Sequence, residues 1–564
     1  MSLSGALANA SAALTTSQYQ VALSTTNVAN ASTDGYTTKT YSATSQTSTL
    51  ALSTGELSRV TDTYLQKSLI SSSASAGYAE TVDSYLARYD TLLGDTSSDG
   101  DIASLTSALS TSLATLAAGT GDIDAAAVVS AAAELADGLR TLSSGIQDLR
   151  SDADAAIATT VDEVNALLQE IDTLNDQIVA GQGDQTSLAD SRDTALQTLS
   201  GLVSVSSYTD ASGRLNIYAG GQMLVGTTVS TLSFTASGAL SADSTYPTSL
   251  SGVSVNGRDV TSSLTGGELG ALIDLRDEVL PAEQDALDSL ATTLISAINT
   301  AASTGAASPP GTLTSTTVVT AATPLSLTGT LGVVQSTTAG VATAIDQIDL
   351  SSVTTVGQLV NALNGVSGVT AGITDGKLTI SSSSGGVTLD SSVALTAGGE
   401  TLSDWMGFND VFSGEDASTI RVTAALTANP SRLATSSLDT SAAVGQTAVA
   451  SGGTGGTSAL LSAMTEDRSF AASGNLSARS RSLTDYATDV LSGAATTISR
   501  AESTASSATA LRDGYANSLS NATGVNLDEQ TALVSLYQQQ YESSAQLMSA
   551  IQDMYDALLS MVAS

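Results

Sequence analysis

A heptad seam near one end of the chain limits what it can fold into more than any other feature. Between Leu527 and Val562, the residues Val534, Tyr537, Tyr541, Ser544, Met548, Ile551, Tyr555, Leu558 and Val562 fall alternately three and four apart. That spacing puts them on one side of an α-helix. Leu533, Leu547, Met554 and Met561 widen the seam into a broad apolar face, uninterrupted by Gly or Pro. A helix of this length can bury such a face only against another helix, of its own chain or of a partner. Near the other end, Leu3, Leu7, Ala10, Leu14, Ser17, Val21, Ser24 and Val28 repeat the spacing. The two seams predict that the terminal helices pair as a coiled coil. Asn526 stands where an N-cap belongs, and Glu529 three residues on can reach back as in a capping box. Asp528 and Glu529 also suit the positive end of the helix dipole.

Composition closes off most site chemistry. The chain has 564 residues with no Cys and no His, which removes Ser-His-Asp triads, Cys-His nucleophiles and nearly all zinc sites. Only carboxylate, Tyr, Ser or Lys chemistry is left. The net charge of −37 argues against nucleic acid and anionic membrane as partners, because both demand basic patches. No apolar run reaches the ~18 residues of a membrane span. Lys39 is the first basic residue and the early apolar residues are helically spaced, so no cleaved signal peptide is expected. The length suggests three or four domains at about 150 residues each.

Between the seams the pattern changes twice. Turn formers at Asn27, Asn30, Thr33, Asp34 and Gly35 lead into an extended Thr/Tyr-rich piece, and helix is expected again from near Leu57. Helical spacing dominates from Ile102 to Ile178, where Val161, Val164, Leu168, Ile171, Asn175 and Ile178 form another seam, with polar Asn175 placed to fix register. A helix over Leu188–Leu199 precedes hairpins in 202–260, one turning at Asn256-Gly257. A long helix over Leu269–Ala301 should be kinked or divided by Pro281. After "GAASPPG", residues 311–425 read as an outer β-rich domain with one short helix, Val356–Leu363, and a hairpin at Asp375-Gly376. "SGGTGGTS" at 451–458 reads as flexible, and a helix follows over Leu483–Leu519. The predicted fold is mainly α with inserted β-domains. Residues 1–35 and 525–564 form the terminal unit, 36–310 and 426–524 a helical-bundle domain, and 311–425 the outer domain.

Several stretches resemble bacterial flagellar axial proteins. "TTNVANASTDGY" resembles their N-terminal motif through Asn27, Asn30, Thr33, Gly35 and Tyr36. "GVNLDEQTALVSLYQQQYESSAQLMSAIQDMYDALLSMV" resembles their C-terminal helix, opening on Asn526, Leu527, Asp528 and Glu529. "VNALLQEIDTLNDQI" with "LADSRDTALQTLSGLVSVS", then "GGELGALIDLRDEVLPAEQDALDSLATTLISAIN" and "LSDWMGFNDVFSG", narrow the resemblance to the FlgK family of hook-associated proteins. The family's Arg-Asp segments sit at Arg192-Asp193 and Arg276-Asp277, and its Gly-aromatic-Asn-Asp block at Gly407-Phe408-Asn409-Asp410. Asp34 stands where relatives often carry Pro, and Lys39 comes later than their usual basic residue.

The resemblance implies a structural protein, not an enzyme, with no catalytic residue, cofactor or metal. It implies export through the flagellar secretion channel and assembly outside the cell between hook and filament. The implied partners are further copies of itself, the hook protein, the second junction protein and an export chaperone. The assembly interface would be Leu3, Leu7, Leu14, Val21 and Val28 with Val534, Tyr537, Tyr541, Met548, Ile551, Tyr555, Leu558 and Val562. Flagellin, the second junction protein, or a secreted adhesin are the competing readings. The length, the β-insert and the "GELGALIDLRDEVLP" block favour the first reading, and no concave polar site or metal cluster favours the last.

Other groups invite simpler readings. Asp95, Ser97, Asp99 and Gly100 fall at calcium-loop offsets, but Thr106 stands where the loop's Glu belongs, so a solvated turn suffices. Asp162, Glu163, Glu170 and Asp172 read as the polar face of a helix before a glycosidase pair. Trp405, the lone Trp, reads as a core anchor.

Overall fold

The computed structural model describes residues 3–43, 55–94, 100–119, 125–308 and 310–563. It is mostly helical with small, scattered antiparallel sheets. In chain order the first helices are α1 (Leu3–Ala29), α2 (Thr63–Leu93), α3 (Ile102–Ala117), α4 (Ala125–Val179) and α5 (Gln185–Leu202). Next come α6 (Gly267–Asp274), α7 (Leu280–Ser303), α8 (Val356–Asn364), α9 (Leu402–Met406) and α10 (Ala424–Ala428). The last three are α11 (Gly455–Thr465), α12 (Leu483–Thr523) and α13 (Leu527–Ala563).

The spine of the body is α4, which runs 55 residues without a break. Leu135, Leu139, Ile146, Ile157, Val164, Leu168 and Ile171 line it at helical spacing, each fully buried. Around it pack α2, α3, α5, α6 and α7, with α11 and α12 closing the bundle. Burial of each such side chain contributes about 1.5–3 kcal/mol, so this single stripe fixes the bundle. Asp62, Asp101, Asp184 and Ser482 cap the starts of α2, α3, α5 and α12 through their side-chain oxygens, as short polar residues at that position do. Asp95 and Asp99 lie outside the described residues. Among the described residues no cluster of acidic side chains has the arrangement of a metal site. Asp162, Glu163 and Glu170 are exposed on α4, and Asp172 is taken by Arg214 at 3.1 Å.

Asn175 is buried, and it grips a strand: its amide donates to the Leu215 carbonyl and its carbonyl accepts the Leu215 N–H, both at 2.9 Å. That strand, Leu215–Ala219, is the central one of a sheet with Ser206–Thr209 and Gln222–Val225. The expected turn at Asn256-Gly257 has both residues at positive φ, 51° and 78°, as a two-residue hairpin of this kind requires. Pro281 stands where its helix is divided, as expected: α6 ends at Asp274 and α7 begins at Leu280, with Pro281 in its first turn. One π-helical turn, Leu275–Val279, joins α6 to α7. The wider turn absorbs the proline, which cannot donate and would otherwise crowd the carbonyl four residues back.

Two expectations are corrected. Around Leu57 the chain is a strand, β2 (Gly55–Arg59), paired with β1 (Lys39–Ala43) in the register Tyr41↔Leu57; helix begins only at Thr63. The glycines of "SGGTGGTS" do not make a flexible joint throughout. Gly455 and Gly456 open α11, and a Cβ on Gly456 would collide with the Ala434 carbonyl, so glycine there permits close backbone approach.

The β-rich region has its own core. Thr330–Ser336 lies between Ala342–Asp349 and Gly386–Asp390. A second sheet orders Leu313–Val318, Lys377–Ser382 and Val369–Thr374. Leu331, Val333, Leu359, Leu378, Ile380 and Phe408 pack between them, with Trp405 partly buried against this cluster. Past Phe408 the chain leaves it: Val411, Phe412, Ala417 and Ile420 belong to the core of the body. A polar row on α7 grips this passage. Thr300 donates to Asp404 at 3.2 Å, Asn299 bonds the backbone of Val411 and Phe412, Thr292 donates to the Glu415 carbonyl, and Asp288 accepts the Ala417 N–H at 2.9 Å.

Two carboxyls at this passage carry a pH signature. Burial pushes Asp288 up to about 6, with Asp416 and Asp285 adding to it, and pushes Asp410 up to about 6, with Asp404 adding. Both stand above the ordinary Asp value of about 3.9. The stability they contribute is therefore complete below about pH 3.9 and lost as pH rises through about 6. Asp288→Asn/Asp410→Asn keeps an acceptor for every bond and removes the titration. The expected result is a melting-temperature gain over the parent chain that is near zero below about pH 4, about half developed at pH 5 and level above about pH 7. A gain that is flat over that window would overturn the assignment.

Candidate assembly interface

Helices α1 and α13 lie side by side. They run antiparallel, because Asn27 at the end of α1 donates to Gln530 in the first turn of α13 at 3.0 Å. On α1 the seam faces inward: Ala10, Ser17 and Ser24 are buried and Leu3, Leu7, Leu14, Val21 and Val28 half-buried. On α13, Val534, Tyr537, Tyr541, Met548 and Tyr555 are half-buried and Ile551 is 2% exposed. Leu558 departs from the expected seam at 52% exposure, since α13 continues past the first described turn of α1. The side chain of Val562 lies outside the described residues.

The buried seam residues of α1, Ala10, Ser17 and Ser24, are small, so little bulk separates the two helices at those positions. The cost is that one thin helix cannot cover the broad face of α13. Leu536, Leu547, Met554, Leu559 and Met561 stay 47–75% exposed. An apolar stripe of that kind on a protein surface marks a contact site. Charge is one-sided here too. Residues Leu3–Ala29 include no Asp, Glu, Lys or Arg, and Leu527–Ala563 has acids but no base. Contacts between the two helices therefore rest on apolar burial and hydrogen bonds, not on ion pairs.

The motif residues serve the root of the pair. Asn27 is buried and satisfied four ways: it bonds Gln530, the Lys39 carbonyl (2.9 Å), the Lys39 N–H (3.2 Å) and the Tyr36 hydroxyl (2.8 Å). Asn30 and Thr33 bond each other and the end of α1. Gly35 has φ +73°, and a Cβ there would collide with the Thr194 hydroxyl, which makes glycine the residue for this turn. Burial, then Asp190 and Asp184, push the Tyr36 hydroxyl up to about 12. Asp34 is exposed.

Lys39 is the functional residue the sequence undervalues. Its ammonium is buried against Asp190 of α5, and it also donates to the Thr186 carbonyl at 3.3 Å. Burial holds the Lys39 pKa below its ordinary value, against the pull of Asp190. Arg59 adds bonds to Asp190 (3.0 Å) and Asp193 (2.7 Å). The separation of 151 positions between Lys39 and Asp190 leaves no local sequence signal for the pairing.

At the other root, Asn526 accepts from the N–H groups of Asp528 (3.1 Å) and Glu529 (3.3 Å). Among the described residues the return bond of a capping box, from the Asn526 N–H to the Glu529 side chain, is not formed; Glu529 is exposed. Asn526→Ala should cost about 1 kcal/mol at this helix start. The measurement is amide hydrogen exchange. Roughly fivefold faster exchange across residues 528–530 is expected, with α4 unchanged. Unchanged exchange there would show that the cap contributes nothing.

Comparison with known proteins reaches the body of this molecule. Residues 86–313 match the family described as the flagellar hook-associated protein FlgK helical domain. The chain is 31% identical over 219 residues to flagellar hook-associated protein 1 of Bacillus subtilis (strain 168), an alignment that takes in 35% of this chain and 43% of that relative. The flagellar hook junction protein FlgK from Burkholderia pseudomallei has a similar fold, with TM-score 0.50 and 17% identity, over 80% of this chain and 98% of that one. Both Arg-Asp segments lie inside the matched region, and each turns its arginine inward to hold a loop: Arg192 to the Gly213 carbonyl (2.8 Å), Arg276 to the Ser251 carbonyl (3.1 Å). The helical body of this chain, residues 86–313, belongs to the FlgK family of flagellar hook-associated proteins.

Proposed function

We propose that the chain is a structural component of the bacterial flagellum that joins hook to filament, exported through the flagellar channel and assembled outside the cell. The observation that carries this reading is the exposed apolar stripe of α13 beside an uncharged α1, a surface the single chain leaves uncovered. Further copies of the chain would cover it, as a coiled-coil terminal unit formed by 1–35 and 525–564. The helical body and the outer domain at 311–425 would then face away from the axis. The hook protein and the second junction protein are the neighbours along the axis, and an export chaperone is the partner before secretion. Its role is mechanical, not catalytic.

The test is removal of residues 527–563 from the chromosomal copy in the organism that carries the chain. Cells should build hooks but shed their filament subunits into the medium, and antibody to the intact chain should label the hook–filament boundary by electron microscopy. Normal filament number in the truncated strain, or label along the cell body, would refute the reading.

A further inference from the structure

The sequence contains two Asn-Gly steps, Asn256-Gly257 and Asn364-Gly365. In such a step the backbone nitrogen of the glycine can attack the side-chain carbonyl carbon of the asparagine. A carbon–nitrogen bond forms, ammonia leaves as the five-membered imide closes, and water then opens the ring to Asp or isoAsp. Glycine favours the attack because it has no Cβ to crowd the approach and the widest backbone freedom. The reaction needs an unengaged glycine N–H, a loosely held carboxamide and backbone freedom at both residues. All four residues are exposed, so exposure does not separate the two steps. Their bonds do.

At Asn364-Gly365 each requirement is blocked. The Gly365 N–H donates to the carbonyls of Asn361 (3.1 Å) and Ala362 (3.2 Å). The Asn364 side chain is held at both ends, donating to the Ala371 carbonyl (2.9 Å) and accepting the Ala371 N–H (2.8 Å). The step closes α8, whose Val356, Leu359 and Leu363 are buried in the core of the β-rich region, so its backbone cannot move without that helix.

At Asn256-Gly257 the requirements are met. Among the described residues the Gly257 N–H donates to no carbonyl, and a Cβ there would meet nothing within 4 Å. The Asn256 carboxamide makes one bond, a donation to the Ser230 hydroxyl at 3.1 Å. The hairpin that carries the turn is two residue pairs long, Ser254↔Asp259 and Val255↔Arg258, and its pairing with Leu232–Ser233 is no longer. Ladders that short open locally.

We propose that Asn256 is a site of spontaneous deamidation in the folded chain, while Asn364 is protected by its bonds. The product carries a new negative charge three residues from Asp259 and loses the amide that holds Ser230. Its isoAsp form also adds a backbone methylene to a two-residue turn, and turn geometry fixes the register of a hairpin. Asp259 of this hairpin accepts the Tyr246 hydroxyl at 2.9 Å, so the change reaches the loop that Arg276 holds through Ser251. The modification is a mark of chain age and stands whether or not the chain assembles.

The test is peptide mapping by mass spectrometry of the full chain held at mildly alkaline pH, where the attacking nitrogen gives up its proton more readily. The peptide carrying Asn256 should gain one mass unit and become a substrate for isoaspartyl methyltransferase. Conversion at Asn256 should run at least about tenfold faster than at Asn364. In urea, where no structure protects either step, the two rates should agree within about twofold. Asn256→Gln lengthens the side chain by one methylene, disfavours ring closure and should abolish the fast conversion. Equal rates at the two sites in the folded chain would overturn the assignment. So would an Asn256 that stays intact in the folded chain and converts in urea, or a fast mass gain that persists in Asn256→Gln. A gap between the sites that survives in urea would place the difference in the flanking sequence and overturn the protective role of the Asn364 bonds.

Discussion

Ile551→Asp is expected to open the terminal pair while leaving the body intact. Ile551 is the most deeply buried large side chain on α13, at 2% exposure, and a carboxylate there would meet no base, since neither α1 nor α13 contains Lys or Arg. Burying an unpaired charge costs several kcal/mol, and opening the pair relieves that cost. Leu14→Asp should act in the same direction but less strongly, because Leu14 is only half-buried and its carboxylate can reach water. Hydrogen exchange across α1 and α13 should rise by orders of magnitude in Ile551→Asp, with the melting temperature of the body unchanged. Slow exchange retained in that variant would show that the seam does not hold the pair.

A third substitution separates the seam from the assembly surface. Leu547 is 54% exposed on the outer stripe of α13, so Leu547→Asp should leave exchange in the pair as it is. If the stripe is covered by other copies, the same substitution should still cost cells their filaments. Ile551→Asp would then fail through the fold of the terminal pair, and Leu547→Asp through assembly alone. Normal filaments in Leu547→Asp would remove the stripe from the proposed interface.

The parts of this molecule that were legible in the sequence are those whose signal is periodic and local. The seams on α1, α4 and α13 declare themselves because burial repeats every three or four residues. The turns at Asn256-Gly257 and Asp375-Gly376 declare themselves because positive φ selects the residue types. What stayed hidden depends on partners far along the chain. Leu57 sits in a strand because β1 pairs with it, although Glu56, Leu57 and Arg59 show no alternation that marks a strand. Gly456 is a packing glycine because Ala434 passes over it, and nothing nearby in the sequence reveals that. Asn175 shows both limits at once: its place in a heptad signalled a structural role, but its bonds to Leu215 require knowledge of the sheet. The ion cluster of Lys39, Arg59 and Asp190 belongs to the hidden class, since its members come from three separate segments.

The largest stability effect is expected at the buried ion pair of Asp154 and Arg276. Both side chains are fully excluded from solvent, and the guanidinium meets Asp154 at 2.8 Å. Arg276 also forms a two-pronged contact with Asp277 at 2.8 Å and 2.8 Å, and Asp154 accepts the Ser237 N–H at 2.6 Å. The pair thus ties α4, the π-helical turn and the 234–251 loop together. Burial alone would lower the Arg276 pKa, but Asp277 and Asp154 outweigh it and raise it, so the arginine stays charged in the core. Removing Asp154 leaves the buried guanidinium with Asp277 as its remaining carboxylate partner; breaking a buried pair costs about 3–5 kcal/mol, and Asp277 holds this one toward the lower figure. For a cooperative unit of ordinary size that is a fall of roughly 6–20 °C in melting temperature.

Asp154→Ala should show this loss in full. Asp152→Ala, two residues away on the same helix, is its control. Asp152 bonds Arg88 at the surface, with the two side chains 55% and 49% exposed, and exposed pairs contribute only ~0–1 kcal/mol. The double variant Asp154→Leu/Arg276→Met removes both charges together and should recover much of the loss, because well-packed apolar replacements escape the desolvation cost. The effect of Asp154→Ala should persist at 1 M salt, where screening reaches exposed charges and not buried ones. Equal melting temperatures for Asp152→Ala and Asp154→Ala would show that the buried pair contributes no more than a surface one. A double variant as unstable as the singles would show instead that the site depends on its hydrogen bonds and not on its charges.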